Sequence, residues 1–244
     1  MMARRHEPPN SLDFFPTPPW ATRALFRHVL PALGIETIGK VWECACGEGH
    51  MAAVIAEFTH EPVIATDIFD YGYGSTLVDF LDARLAPAFS DCADWIVTNP
   101  PFKPADQFAL RALDLARIGV ALLLRIQWVE GEERYYSLFR DRPPTVIAPF
   151  VERVPMLRGR WDPNASTATC YGWFVWLHGA APRAPYWIPP GSKARLTDAD
   201  DRRRFATAIQ SDAPLFSRVP LEIDSGTSTM GDGSRVNRII PNVA

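Results

Sequence analysis

Several things are scarce in this chain, and each absence narrows its class. No apolar run approaches the length needed to cross a bilayer, on the order of 18 residues, so no membrane span is expected. Cysteine is rare: Cys44, Cys46, Cys92 and Cys170 make four in 244 residues. That is too few for a disulfide framework at this length. Cys44-x-Cys46 has no matching Cys/His pair to complete a metal site, so reduced core thiols and no metal are expected. The opening Met-Met-Ala-Arg-Arg-His-Glu-Pro-Pro-Asn has no apolar stretch of the secretory kind, and a cytoplasmic location is expected. Excess positive charge is also missing. The formal net charge of −3 argues against a protein that coats polyanions along its whole surface.

Charge is unevenly spread. Arg153 to Arg204 holds nine Lys/Arg against four acids, a local +5 that leaves −8 for the rest. Such a segment can neutralise phosphates. An ordinary solvated face is the alternative, because Arg202, Arg203 and Arg204 follow acids able to pair with them.

The most informative stretch is Asp94-Trp95-Ile96-Val97-Thr98-Asn99-Pro100-Pro101-Phe102. An apolar strand runs into two prolines, which fix φ, cannot donate backbone hydrogen bonds and hold their predecessors extended. The chain leaves the strand as a stiff elbow. A side-chain amide, a free carbonyl and a ring face can all be held at its tip, which suits a planar substrate carrying an exocyclic amine. Asn99 and the Pro100 carbonyl would accept the amine hydrogens while Phe102 stacks on the ring. The competing reading is a strand that ends in a proline turn with a core Phe.

Upstream, Lys40 to Gly49 reads as a buried strand, an acid (Glu43) and a glycine turn, with an apolar helix from Gly49 to Phe58. A second strand, Pro62 to Ile68, carries another acid at its end, Asp67. Glycines let the backbone approach a ligand closely. Ligands of open α/β sheets sit outside the carboxyl ends of strands. Glu43, Asp67 and Asn99 are all expected there.

Taken together these motifs resemble a family. Glu43-x-Ala45-Cys46-Gly47-x-Gly49 is similar to the first motif of class I S-adenosylmethionine-dependent methyltransferases, with Glu where Asp is more usual. Asn99-Pro100-Pro101-Phe102 resembles the catalytic motif of the amino-methyltransferases, above all the DNA adenine-N6 enzymes. Phe14-Phe15-Pro16-Thr17-Pro18-Pro19-Trp20 is similar to their N-terminal cofactor motif, and the motif order resembles the gamma arrangement. Arg158 to Pro163, Ser166 to Thr169 and Tyr171 to Trp176 look like small phage and prophage members. The resemblance spans roughly Asp13 to Leu177.

The resemblance implies S-adenosylmethionine as cofactor. Glu43 would face its methionine end, Ala45, Cys46, Gly47 and Gly49 would admit its backbone, and Asp67 would take the ribose hydroxyls. Asp79 would meet the adenine amino group with Ile68 or Phe80 on the ring face; a loop-capping Asp79 is the alternative. Thr17 would hold the cofactor carboxylate, cap the following helix, or do both. Duplex DNA with a flipped base is the implied partner, and Trp128, Trp161, Tyr171 and Trp173 are candidates for the other pocket wall. His50 is expected to be structural. The chain lacks a Pro-Cys dipeptide, which disfavours carbon-5 cytosine methylation. Cytosine-N4, ribosomal guanine-N2 and protein-glutamine methylation stay open, as does a non-catalytic nucleic-acid-binding relative.

Alternating strands and helices imply a doubly wound, mostly parallel α/β sheet of Rossmann-like kind; its antiparallel last strand is implied by the resemblance alone. A helix is expected from Pro18-Pro19 to Val29, with others at Ala105 to Ala116, Gly131 to Arg140 and Thr197 to Ala208. Further strands are expected at Asp94 to Thr98, Gly119 to Trp128, Pro144 to Val151 and Cys170 to Leu177. Leu77 to Leu81 reads as a short strand or loop. The expected organisation is a methyltransferase domain over 1–180, a basic extension over 181–221 as a possible target-recognition element, and a loose tail over 222–244.

Overall fold

The computed structural model describes residues 13–85, 89 and 92–205. Its strands are β1 (Val41–Glu43), β2 (Ile64–Asp67), β3 (Thr76–Leu77), β4 (Trp95–Thr98), β5 (Gly119–Arg125), β6 (Val146–Pro149) and β7 (Tyr171–Leu177). They form one sheet in the order β3-β2-β1-β4-β5-β7-β6. The first five in that order run parallel, and β7 lies antiparallel between β5 and β6. The expected α/β sheet and its antiparallel last strand are both present.

Period-2 alternation divides the sheet's side chains between two cores. Trp95, Val97, Ala121, Leu123, Trp173 and Val175 face one side, together with Trp20 and Leu25. Ile96, Leu122, Leu124, Phe174 and Trp176 face the other, against Phe108 and Ala109. Strands buried on both faces read as unbroken apolar runs, which is why β4, β5 and β7 were visible in the sequence. Helix α1 (Pro19–Ala24) covers the first face and continues through a π-helical turn (Leu25–Val29) to Leu30–Ala32. Helix α2 (His50–Ile55) follows the glycine turn, and α3 (Ala105–Leu115) covers the second face. Glu132–Arg134 forms α4 and runs on as a π-helical turn to Phe139.

Three local expectations are corrected. Thr17 does not cap α1: the cap position is Pro18, with no side-chain cap bond. The strand expected to reach Trp128 ends at Arg125, because its partner β7 begins at Tyr171, directly opposite Arg125. Ile126–Val129 then closes into a 3-10 turn. The helix expected from Thr197 to Ala208 begins only at Asp201, as α6 (Asp201–Phe205); a short helix that was not expected, α5 (Ser192–Leu196), precedes an extended Thr197. There the Asp198 carboxylate accepts the Asp200 N–H at 2.9 Å and Asp201 accepts the Asp198 N–H at 2.9 Å, so side chains compete for the donors that would continue a helix. Residues 206–208 of that expected helix, 206–221 of the extension and the 222–244 tail lie outside the described residues.

The described part of the extension lies against the sheet. Arg183, Tyr186 and Ile188 donate backbone N–H groups to Thr145, Ile147 and Pro149, covering the β6 edge. Arg23, buried in α1, holds α6 by two bonds to Asp201 (2.7 and 2.8 Å) and also makes two to Glu57, just beyond α2 (2.7 and 2.9 Å). The exposed Arg203 pairs with Asp200 at 2.9 Å and Arg204 with Glu57 at 2.7 Å.

Candidate active site

Beyond β1 the chain turns through Gly47 (φ 52°) and Gly49 (φ 77°), both in the left-handed region that side chains avoid. A Cβ at Gly47 would lie 2.4 Å from the Phe14 ring, and one at Gly49 would lie 2.2 Å from the Tyr73 ring. The two glycines thus admit aromatic rings against the turn. The Gly47 N–H donates to Asp67 Oδ2 at 2.8 Å, which ties the turn to the end of β2.

Of the two strand-end acids Glu43 is the more buried. It is 2 % exposed, and its Oε2 has no hydrogen-bond partner. Burial first, and then the neighbouring Asp67, pushes its carboxyl well above the usual range. Burial also raises Asp67, against the backbone N–H groups that lower it. Its Oδ1 accepts the Phe69 N–H at 3.1 Å. A carboxylate has lone pairs beyond these two bonds. Asp79 is exposed, and its Oδ1 closes its own turn on the Leu81 N–H at 2.9 Å. Ile68 is 66 % exposed, whereas Phe80 is buried edge-on to Trp42. Burial also raises both nearby thiols, Cys46 to about 12, which disfavours the thiolate form.

At the end of β4, the Asn99 amide nitrogen donates to the Phe15 carbonyl at 3.0 Å, the Thr17 hydroxyl at 3.1 Å and Met156 Sδ at 3.6 Å. A carbonyl can only accept, so the amide cannot be reversed. Its Oδ1 is left buried and without a partner. Leaving such an acceptor unmet typically costs about 1–3 kcal/mol. Behind it, the Phe102 N–H donates to Asp13 at 2.6 Å. Pro100 is buried, and no backbone N–H of the described residues donates to its carbonyl.

These groups converge. Thr17, Glu43, Ala45, Cys46, Gly47, Asp67, Ile68, Asp79 and Phe80 line one cleft of about 790 Å³ with Asn99, Pro101 and Phe102. Gly49 and Pro100 are not among its lining residues. Of the four aromatic wall candidates Tyr171 lines it, whereas Trp128, Trp161 and Trp173 pack in the hydrophobic clusters. His50 also lines the cleft; burial lowers its imidazole to about 4, so it is neutral at physiological pH. Asp13, Arg125 and Met156 were missed as site residues. Arg125 left a trace, as a charge interrupting an apolar strand; Asp13 and Met156 left none, because they reach the cleft only through tertiary contacts. Among the described residues no group of acids, histidines and cysteines is placed to hold a metal, and no helix is long and apolar enough to cross a membrane.

No protein-family model matches this sequence, and no curated protein matches it. Solved structures do. A protein of Listeria monocytogenes assigned as a class I S-adenosylmethionine-dependent methyltransferase superposes with a TM-score of 0.51 at 9 % identity, over 76 % of this chain and 70 % of its own. The methyltransferase subunit of a type I restriction-modification system from Streptococcus thermophilus gives 0.52 at 10 % identity, over 71 % of this chain and 47 % of its own. A modification subunit assigned to a type I restriction enzyme of Vibrio vulnificus YJ016 gives 0.51 at 14 %, over 78 % and 51 %. The fold is that of class I methyltransferases. This chain spans about half the length of the two restriction-system subunits, and at these identities the likeness is one of fold.

Proposed function

We propose that this chain transfers a methyl group from S-adenosylmethionine directly to the exocyclic N6 amine of adenine in DNA, with the base flipped into the cleft. The observation that carries the reading is the Asn99 amide: its NH₂ is spent on Phe15 and Thr17, and its oxygen is buried, fixed and unmet. An aromatic amine is a poor nucleophile because its lone pair is delocalised into the ring. Acceptors at Asn99 Oδ1 and the Pro100 carbonyl favour a pyramidal nitrogen with a localised lone pair. That stabilisation grows towards the transition state, which accelerates rather than merely binds. Phe102 replaces the stacking that the base loses on leaving the duplex.

The cofactor side is supported by the fit of its residues. The unpartnered Glu43 Oε2 can meet an ammonium, Asp67 retains lone pairs for the ribose hydroxyls, and Ile68 offers an exposed apolar face. S-adenosylmethionine, when bound, supplies a methyl group made electrophilic by its sulfonium, so no protein nucleophile is needed. The restriction-system neighbours and the N-terminal motif favour DNA over ribosomal RNA or protein glutamine as substrate, and Asn99 favours adenine over cytosine.

Expression in a methylation-free host, followed by mass spectrometry of the nucleosides and single-molecule sequencing, tests this reading. N6-methyladenine in host DNA is expected. Methyl groups confined to cytosine, RNA or protein would replace it with the corresponding alternative, and no transfer to any of them would leave a binding protein.

A further inference from the structure

Phe102 does not present a bare ring. The guanidinium carbon of Arg125 lies 3.9 Å from its ring centroid, and Phe15 packs beside it with centroids 5.0 Å apart and planes at 46°. A guanidinium is planar and delocalised, and it covers an aromatic face much as a second ring does. It occupies a surface on which a planar substrate would stack. The Arg125 backbone is held, as the last residue of β5 directly opposite Tyr171 of β7. Its side chain contacts two uncharged groups in the cleft, the Phe102 ring and the Tyr171 hydroxyl. Asp13, which lines the same cleft, is engaged by the Phe102 N–H at 2.6 Å.

We propose that Arg125 is a substrate-binding residue with two positions, and that its second partner is a backbone phosphate beside the target base. This rests on the adenine-methylating reading above. The arriving base takes the Phe102 face, because base–aromatic stacking outweighs a solvent-exposed cation–π contact. The displaced guanidinium, still rooted in β5 at the cleft, meets the phosphate flanking that base, where its planar fork suits two parallel hydrogen bonds. A substrate class follows. A base carried on an anionic strand compensates for moving the arginine, whereas a neutral amide side chain does not.

The test measures fluorescence anisotropy of the full chain with a labelled single-stranded oligo-dA probe across a salt series. Wild type, Arg125→Gln and Arg125→Lys are compared, with adenosine as a phosphate-free competitor. Methyl transfer into unmethylated genomic DNA is followed in parallel. Arg125→Gln should bind oligo-dA several-fold more weakly at low salt and lower the slope of log affinity against log salt by about 0.7. Adenosine should compete at least as well as against wild type, since the ring is uncovered. Arg125→Lys should restore the slope. Equal slopes in wild type and Arg125→Gln would overturn the proposal, as would an adenosine affinity that falls in step with that for oligo-dA. If wild type still methylates DNA, such a result removes only the role of Arg125. If wild type transfers no methyl group to DNA, the reading beneath it fails first.

Discussion

The wall of the cleft proposed to hold the cofactor is built from near neighbours, whereas the elbow wall is held from the far end of the chain. Gly47 bonds Asp67 across 20 residues, Asp67 bonds Phe69 across two, and Asp79 closes its own turn. Asn99 bonds Phe15 and Thr17 across 84 and 82 residues, and Phe102 bonds Asp13 across 89. The N-terminal motif, which the resemblance assigns to the cofactor, is in this structure the clamp that orients the Asn99 amide. A local wall can form with its strand pair. The elbow has its geometry only once the N-terminal segment and the Met156 loop have docked.

The strongest way to break this comparison is Asn99→Ala. It should cost about 10²–10³ in transfer rate, as losing one preorganised polar group typically does, while calorimetry finds cofactor affinity nearly unchanged. Tritium transfer from labelled cofactor is the readout. A variant as fast as wild type would reduce the elbow to a proline turn.

Asp67→Ala tests the other wall. Losing a charged acceptor should weaken cofactor binding by about 1.5–3 kcal/mol, with little change in the rate at saturating cofactor. If the rate falls and affinity holds, the two walls are not separable.

Thr17→Val probes the residue that belongs to both descriptions. If its hydroxyl serves Asn99, the variant loses a neutral hydrogen bond of about 0.5–1.5 kcal/mol, seen in kcat rather than in cofactor affinity. The opposite split would return Thr17 to the cofactor wall.

The smallest effect is in pH. Burial holds the Glu43 carboxyl above its ordinary 4.5, so the folded chain gives up the proton at a higher pH than the unfolded chain does. Stability from this group is therefore complete below that value and is lost as pH rises towards the raised folded pKa. His50 has the opposite sign: lowered from 6.5 to about 4, it contributes fully above 6.5 and loses that contribution as pH falls. Thermal melts of Glu43→Gln should lose the first dependence and keep the second. Calorimetry in buffers of different ionisation enthalpy should show proton release when wild type binds the cofactor, and none in the variant.

Much of this was legible before the fold was known. Trp95 to Thr98, Gly119 to Leu124 and Tyr171 to Leu177 are apolar without interruption because both faces of the sheet are covered. The strand-end acids and the glycine turn could be located because their spacing is local. The late start of the C-terminal helix was not, because propensity over Thr197 to Phe205 gives no warning that Asp198 and Asp201 take backbone donors for themselves. The burial of Trp161 against Val54 and Phe205 was equally hidden, since those residues meet only in the folded chain.

By itself the sequence determined the sheet class, the order of the motifs and that Glu43, Asp67 and Asn99 stand at strand ends. These follow from residue periodicity and from the stiffness of proline and the freedom of glycine, which act within a few residues. Only the tertiary structure decided that Phe15 and Thr17 hold the Asn99 amide, that Glu43 is left with an unmet buried oxygen, and that Arg125 lies over Phe102. Each of these depends on the direction in which a side chain points after distant segments pack, and no local pattern encodes that direction.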